Sequence, residues 1–105
     1  MVLIPTSIKV GPVTYDVRVQ NMGDRGQTDP ETGVITIADH LGPGRARVTL
    51  LHEVMHAMHL HCGAVIINSD DADDCEENLI RLWSGPLLMV LRDNPALVAY
   101  LLDES

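Results

Sequence analysis

The stretch Val48-Thr49-Leu50-Leu51-His52-Glu53-Val54-Met55-His56-Ala57-Met58 decides how the rest of this chain is read. It holds His52-Glu53-x-x-His56, the HExxH pattern, inside an apolar run. On an α-helix, residues four apart stand one above the other on a single face, so both imidazoles can reach one metal ion. Neutral imidazole suits Zn²⁺, and a catalytic zinc site takes three protein ligands and keeps a fourth position for water. Glu53, beside the first histidine, is then placed to act as a general base. Leu50, Leu51, Val54, Met55, Ala57 and Met58 surround the motif, so the helix reads as a buried central element, apolar on nearly every side. Burying two histidines and a carboxylate is costly unless something pairs them, and a metal does so.

The 105 residues fit one domain, 1–105, and 46% hydrophobic residues suffice for a single core. Phe is absent and Trp83, Tyr15 and Tyr100 are the only aromatic residues, so that core is aliphatic and Met-rich. A formal charge of −8 argues against nucleic acid as a partner, since an electrostatic footprint for it is basic, and against acidic membrane surfaces. The N-terminal residues show no secretory signal, and no run approaches transmembrane length. Two cysteines, Cys62 and Cys75, do not make a disulfide framework, so a reducing, cytoplasmic location is expected.

The first third of the chain reads as β. Ile8 to Val10, a Gly11-Pro12 turn, and Val13 to Gln20 with Val13, Tyr15, Val17 and Val19 alternating against polar residues form a strand–turn–strand pattern. The segment from Asn21 to Gly33, with Gly23, Gly26, Pro30 and Gly33 among polar residues, reads as a loop or long hairpin connection, and Val34 to Ala38 as a third strand. A small antiparallel meander is the expected N-terminal unit. After a Gly42-Pro43-Gly44 connection, helical periodicity runs from about Arg45 to Cys62, with Gly63 as a C-terminal stop. A second helix is expected over 73–92, bent or interrupted at Gly85-Pro86, and a short one over 95–102, with Asn94 as N-cap and Pro95 in its first turn. The fold class is therefore α+β: a small β-meander, two main helices and a short C-terminal helix.

Two histidines alone do not make a tight site, and the downstream candidates for a third ligand are His59, His61, Cys62, Cys75, Glu76 and Glu77. Leu79, Ile80, Trp83 and Leu87 fall on one helical stripe with Glu76, which points it at the core. Glu77 is followed at helical spacings by Arg81 and Ser84 and points to solvent. If Asp73 is an N-cap, Glu76 can instead complete a capping box. His59 and His61 read best as solvated helix-end cations that offset the C-terminal dipole, although His59 is near enough to the motif face to line a cleft. Cys62 and Cys75 read as small apolar fillers. Six carboxylates between Asp70 and Glu77 match no EF-hand loop, which needs a central glycine.

Thr49-Leu50-Leu51-His52-Glu53-Val54-Met55-His56-Ala57, Glu76-Glu77-x-Leu79-x-x-Leu82 and the ending Val90-Leu91-Arg92-Asp93-Asn94-Pro95, in that order after a β-meander, resemble the minimal metallopeptidases encoded in phage and prophage genomes, distant relatives of the ImmA/IrrE-type gluzincins. The resemblance spans nearly the whole chain, departing from it at Gly85-Pro86 and in the acidic run. It implies a minimal zincin-like domain with His52, His56 and Glu76 as zinc ligands and Glu53 as general base. The expected function is that of a zinc metallopeptidase acting on a peptide or protein substrate through metal-activated water, in the cytoplasm of a host cell if phage-encoded. Val34 to Ala38 is the expected edge strand for an extended substrate, and Tyr15, Tyr100 and Arg45 are unranked candidates to steady an oxyanion. Two rival readings stand beside it: a zinc-stabilised protein-binding module without turnover, and a metal-free acidic interaction protein. Metal analysis separates the last from the other two, and activity separates those.

Overall fold

Period-two alternation makes strands of β1 (Ser7–Val10) and β2 (Val13–Gln20), joined through Gly11, whose φ of +57° lies in the left-handed region that glycine enters freely. The computed structural model describes residues 2–61 and 72–103, without the side chains of 72–76, 78 and 79. Two further strands follow, β3 (Gly26–Asp29) and β4 (Val34–Ala38), and the four form one sheet in the order β1-β2-β4-β3. Among the described residues three helices come after them, α1 (Pro43–His61), α2 (Ala72–Asp93) and α3 (Pro95–Leu102), so the class is α+β as expected.

The sheet is not an antiparallel meander. β2 and β4 pair in parallel, from Asp16 opposite Val34 to Gln20 opposite Ala38, while β1–β2 and β3–β4 are antiparallel. The segment expected to be a loop contains β3, and this strand carries the chain back so that β4 can enter beside β2. The composition of the two strands explains their places. Val-Ile-Thr-Ile-Ala is apolar enough to be paired on both sides, with Ile35, Ile37 and Ala38 buried; Gly-Gln-Thr-Asp is polar and sits at the edge. Asp29 closes the β3–β4 turn by accepting from the Glu31 and Thr32 amides, and Gly33 (φ +70°) donates its amide to the Asp29 carbonyl. Val34 to Ala38 is thus an interior strand with no free edge, and cannot take an added substrate strand as expected.

α1 lies on the sheet. Leu50, Val54, Ala57 and Met58 bury one stripe against Ile8, Val10, Tyr15, Ile35 and Ile37. The opposite side is open: His52, His56 and His59 are exposed, as are Val48 and Met55. The expectation of a helix buried on nearly every side is therefore not met, because α2 covers only part of that open side. His61 falls on the buried stripe and hydrogen-bonds the hydroxyl of the fully buried Tyr15, so it is not a solvated helix-end cation. α2 runs through Gly85-Pro86 without a break. The missing amide of Pro86 costs one helical bond, and Trp83 and Val90, packed on the core on either side of it, hold both halves in line.

Asn94 sits at the N-cap of α3 ahead of Pro95 but makes no side-chain cap there. Its carboxamide is buried and behaves as a one-residue strand: Oδ1 accepts from the Lys9 amide, and Nδ2 donates to the Lys9 and Val90 carbonyls, each at 2.8 Å. The outer edge of β1 is occupied in this way. Arg47 ties the start of α1 to α3, donating to the Tyr100 carbonyl at 3.2 Å and pairing with Asp103 at 3.5 Å.

Two outcomes follow from this packing. Asn94→Ala leaves three backbone groups, two part-buried at Lys9 and one buried at Val90, short of a partner, and should lower stability by about 2–4 kcal/mol in urea unfolding; a loss below about 0.5 kcal/mol would contradict the clamp. Burial raises the Tyr15 hydroxyl above its ordinary 10.0, and the Asp29 carboxylate adds to the shift; burial raises Tyr100 as well, with Arg47 acting against it. The folded chain then keeps protons that the unfolded chain releases, so stability should be intact below pH of about 10 and fall as pH rises further through the folded values. Tyr15→Phe should show a shallower alkaline fall in the urea midpoint.

Candidate metal centre

Helical spacing brings His52 and His56 to one face of α1, and the structure shows their Nε2 atoms 3.0 Å apart with the rings nearly perpendicular. Two nitrogens bound tetrahedrally to one zinc at about 2.0–2.1 Å would stand about 3.3 Å apart. The pair is therefore within a few tenths of an ångström of ligating geometry, and the donor set, two imidazoles converging on a point open to solvent, fits a zinc ion.

One residue along the helix, Glu53 turns the other way, toward β3, and is buried. Its Oε2 accepts a hydrogen bond from Thr28 Oγ1 at 2.6 Å, and the same hydroxyl lies 3.1 Å from the Glu53 carbonyl oxygen. This approach of helix to strand depends on Gly26. A Cβ there would stand 2.8 Å from Thr49 Cγ2, 3.1 Å from Glu53 Cγ and 3.2 Å from Glu53 Oε1, which is closer than side chains pack without displacement.

Two clefts flank His52. One, of about 410 Å³, is lined by Asp24, Arg25, Gly26, Val48, Thr49, His52 and Glu53. The other, of about 390 Å³, lies between α1 and α2 and is lined by His52, Met55, His56, His59 and Trp83. His59 thus borders the histidine pair.

The third expected ligand lies on α2. The backbone of Glu76 is helical, seven residues or two turns before Trp83, but its side chain is outside the described residues. Among the described residues no third His, Cys, Asp or Glu joins His52 and His56. Glu77 is exposed and pairs with Arg81 at 3.2 Å, as its spacing suggests. Cys62 and the acidic residues 70 and 71 lie outside the described residues, as do the side chains of residues 73–75. Of the oxyanion candidates, Tyr15 is in the core and Tyr100 packs beside Arg47, and neither lines the two clefts that flank His52; Arg45 is exposed and lines a smaller cleft with Arg25 and Thr49.

Sequence reasoning missed Gly26 and Thr28, because they belong to a strand of four polar or small residues. The signal that could have found them is the turn Asp29-Pro30-Glu31-Thr32-Gly33. An Asx turn leading into a strand implies a second strand before it, and Gly26 and Thr28 then alternate onto one face.

The family model of Peptidase_M78, the IrrE N-terminal-like domain, matches residues 10–92. The chain belongs to this family. The matched segment runs from the end of β1 to the last turn of α2 and so contains β2, β3, β4, the motif helix and Glu76. Membership places the chain among metallopeptidase-like proteins and IrrE-type regulators, a family generally dependent on zinc, and a peptidase family implies a protein substrate. No curated protein and no solved structure matches it. Among the described residues no helix is long and apolar enough to cross a membrane.

A zinc ion fitted to the histidine pair should stabilise the fold by mass action. Zinc at about a hundred times its dissociation constant should add about 2.7 kcal/mol, visible as a rise in melting temperature. His52→Ala and His56→Ala should each abolish that rise, and a zinc-dependent rise that survives both substitutions would place the ion elsewhere.

Proposed function

We propose that the chain is a zinc-dependent metallopeptidase, one minimal zincin-like domain in which His52, His56 and Glu76 hold Zn²⁺ and Glu53 is the general base. The observation that carries this reading is the pairing of two converging imidazole nitrogens, open to solvent, with an adjacent buried carboxylate that shares a cleft with His52. Bound there, Zn²⁺ supplies a Lewis acid that makes water nucleophilic near neutral pH and polarises the peptide carbonyl. Glu53 accepts the proton that the attacking water gives up as its oxygen bonds to the carbonyl carbon. It returns that proton to the amine as the C–N bond breaks.

The substrate strand finds its place on β3. The Ala38 amide donates to the Arg25 carbonyl, so in the alternating antiparallel ladder Gln27 faces β4, and the backbone groups of Gly26 and Thr28 point to the outer edge. An extended peptide adding there would run past Glu53 and the histidines, in the manner of β-augmentation. The absence of a disulfide framework supports action in the cytoplasm, that of a host cell if the chain is phage-encoded.

A zinc-stabilised binding module is the second reading, because the family also contains IrrE-type regulators. Glu53→Gln separates the two. It should keep zinc and fold, while cleavage falls by about 10²–10⁴-fold. The comparison is made by incubating zinc-loaded wild type and Glu53→Gln with host lysate and reading new N-termini by mass spectrometry. If the loaded wild type creates none that the variant lacks, the binding module is the better description. Glu76→Ala should lose zinc under dialysis that leaves Glu77→Ala fully loaded; the reverse pattern would move the ligand by one residue.

A further inference from the structure

Gly26 and Thr28 stand two residues apart on the face of β3 that meets α1, and each lies beside one oxygen of a single carboxylate. Thr28 Oγ1 reaches Glu53 Oε2 at 2.6 Å, within the range of a charge-assisted O–H···O⁻ bond. Gly26 lies beside the other oxygen, Oε1, and Gly26, Glu53 and His52 all line the 410 Å³ cleft. A glutamate free to turn about its side-chain bonds would have to be fixed at each turnover; one held by a neighbouring hydroxyl is fixed beforehand.

We infer that Thr28 is the positioning residue for Glu53: its hydroxyl holds one carboxylate oxygen, so that the other, Oε1 beside Gly26, is the one that takes the proton. The inference rests on the peptidase reading above. It assigns β3 two tasks at one residue. The backbone N–H and C=O of Thr28 face the outer edge, unpaired among the described residues, where a peptide would pair, and its side chain meets the base on the face of the strand toward α1. The hydroxyl also touches the Glu53 carbonyl oxygen at 3.1 Å, so Thr28 meets residue 53 at backbone and side chain together. A purely structural role, in which Thr28 only pins β3 to α1, makes a different prediction for catalysis.

The test uses the full-length, zinc-loaded chain and a quenched-fluorescent peptide spanning a site cleaved in the lysate comparison. Thr28→Val keeps the shape and removes the hydroxyl. It should lower kcat at least about tenfold, with KM, zinc content and melting temperature close to wild type, and Thr28→Ser should restore kcat to within about threefold. If Thr28→Val does not fold, Thr28→Ser and Thr28→Ala supply the same contrast, since they differ only by the hydroxyl. An unchanged kcat overturns the inference and leaves the peptidase reading standing. So does a raised KM with unchanged kcat, which would assign Thr28 to substrate pairing. Losses of kcat, zinc and melting temperature together would reduce Thr28 to a structural pin. A loaded wild type that cleaves nothing overturns the peptidase reading, and the role of Thr28 with it.

Discussion

The candidate site depends on how closely α1 lies on β3. The contact is made at Gly26, where a single added carbon would strike Thr49 and Glu53. With the helix seated at that depth, adjacent residues of the motif take opposite surroundings. His52 is on the open side, where it meets His56, and Glu53 is pressed toward the sheet, where a hydroxyl from β3 receives it. The spacing of the motif requires only a helix; the difference between a solvent-facing histidine pair and a buried, oriented carboxylate comes from the strand beneath it.

The sheet's two edges are treated differently. On the β1 side, Asn94 brings a donor and an acceptor to Lys9 and supplies from a side chain what a neighbouring strand would supply. A carboxamide is the smallest side chain with both groups in one plane. On the β3 side the register leaves outward-pointing backbone groups at Gly26 and Thr28 with no strand against them among the described residues. With the edge far from Glu53 closed and, among the described residues, the edge beside it open, strand addition is restricted to the β3 side, where the peptidase reading places the base.

Much of this was legible in the sequence. The 3.6-residue stripe Leu50-Val54-Ala57-Met58 and the Asn-Pro junction placed α1 and α3 within two residues of their observed bounds, and strict alternation placed β2. Strand direction was not legible, because alternation is the same for parallel and antiparallel pairs; hence the expected meander in place of a parallel β2–β4 pair. β3 was hidden by its own composition, since an edge strand has little need of apolar residues. His61 was misread because helix-end position was weighed above helical phase. Eleven residues after Leu50 and seven after Val54, it returns to the buried stripe and finds Tyr15. Asn94 was placed correctly as the residue before the α3 proline, yet its bonds go to Lys9 and Val90, partners distant or invisible to local capping logic.

The apolar residues on the open side of α1 are the remaining feature to explain. A helix apolar all round reads as buried, yet Val48 is 69% exposed and Met55 39%. Both residues line clefts, Val48 the one that holds Glu53 and Met55 the one that α2 closes with Trp83. Both clefts beside the histidine pair therefore have apolar walls, Val48 in the one shared with Asp24, Arg25 and Glu53, and Met55 and Trp83 in the other. On the peptidase reading, the side chains flanking a scissile bond on β3 would enter those walls while the bond itself lies over His52 and Glu53. That arrangement uses as binding surface the hydrophobicity that the sequence alone assigns to the core.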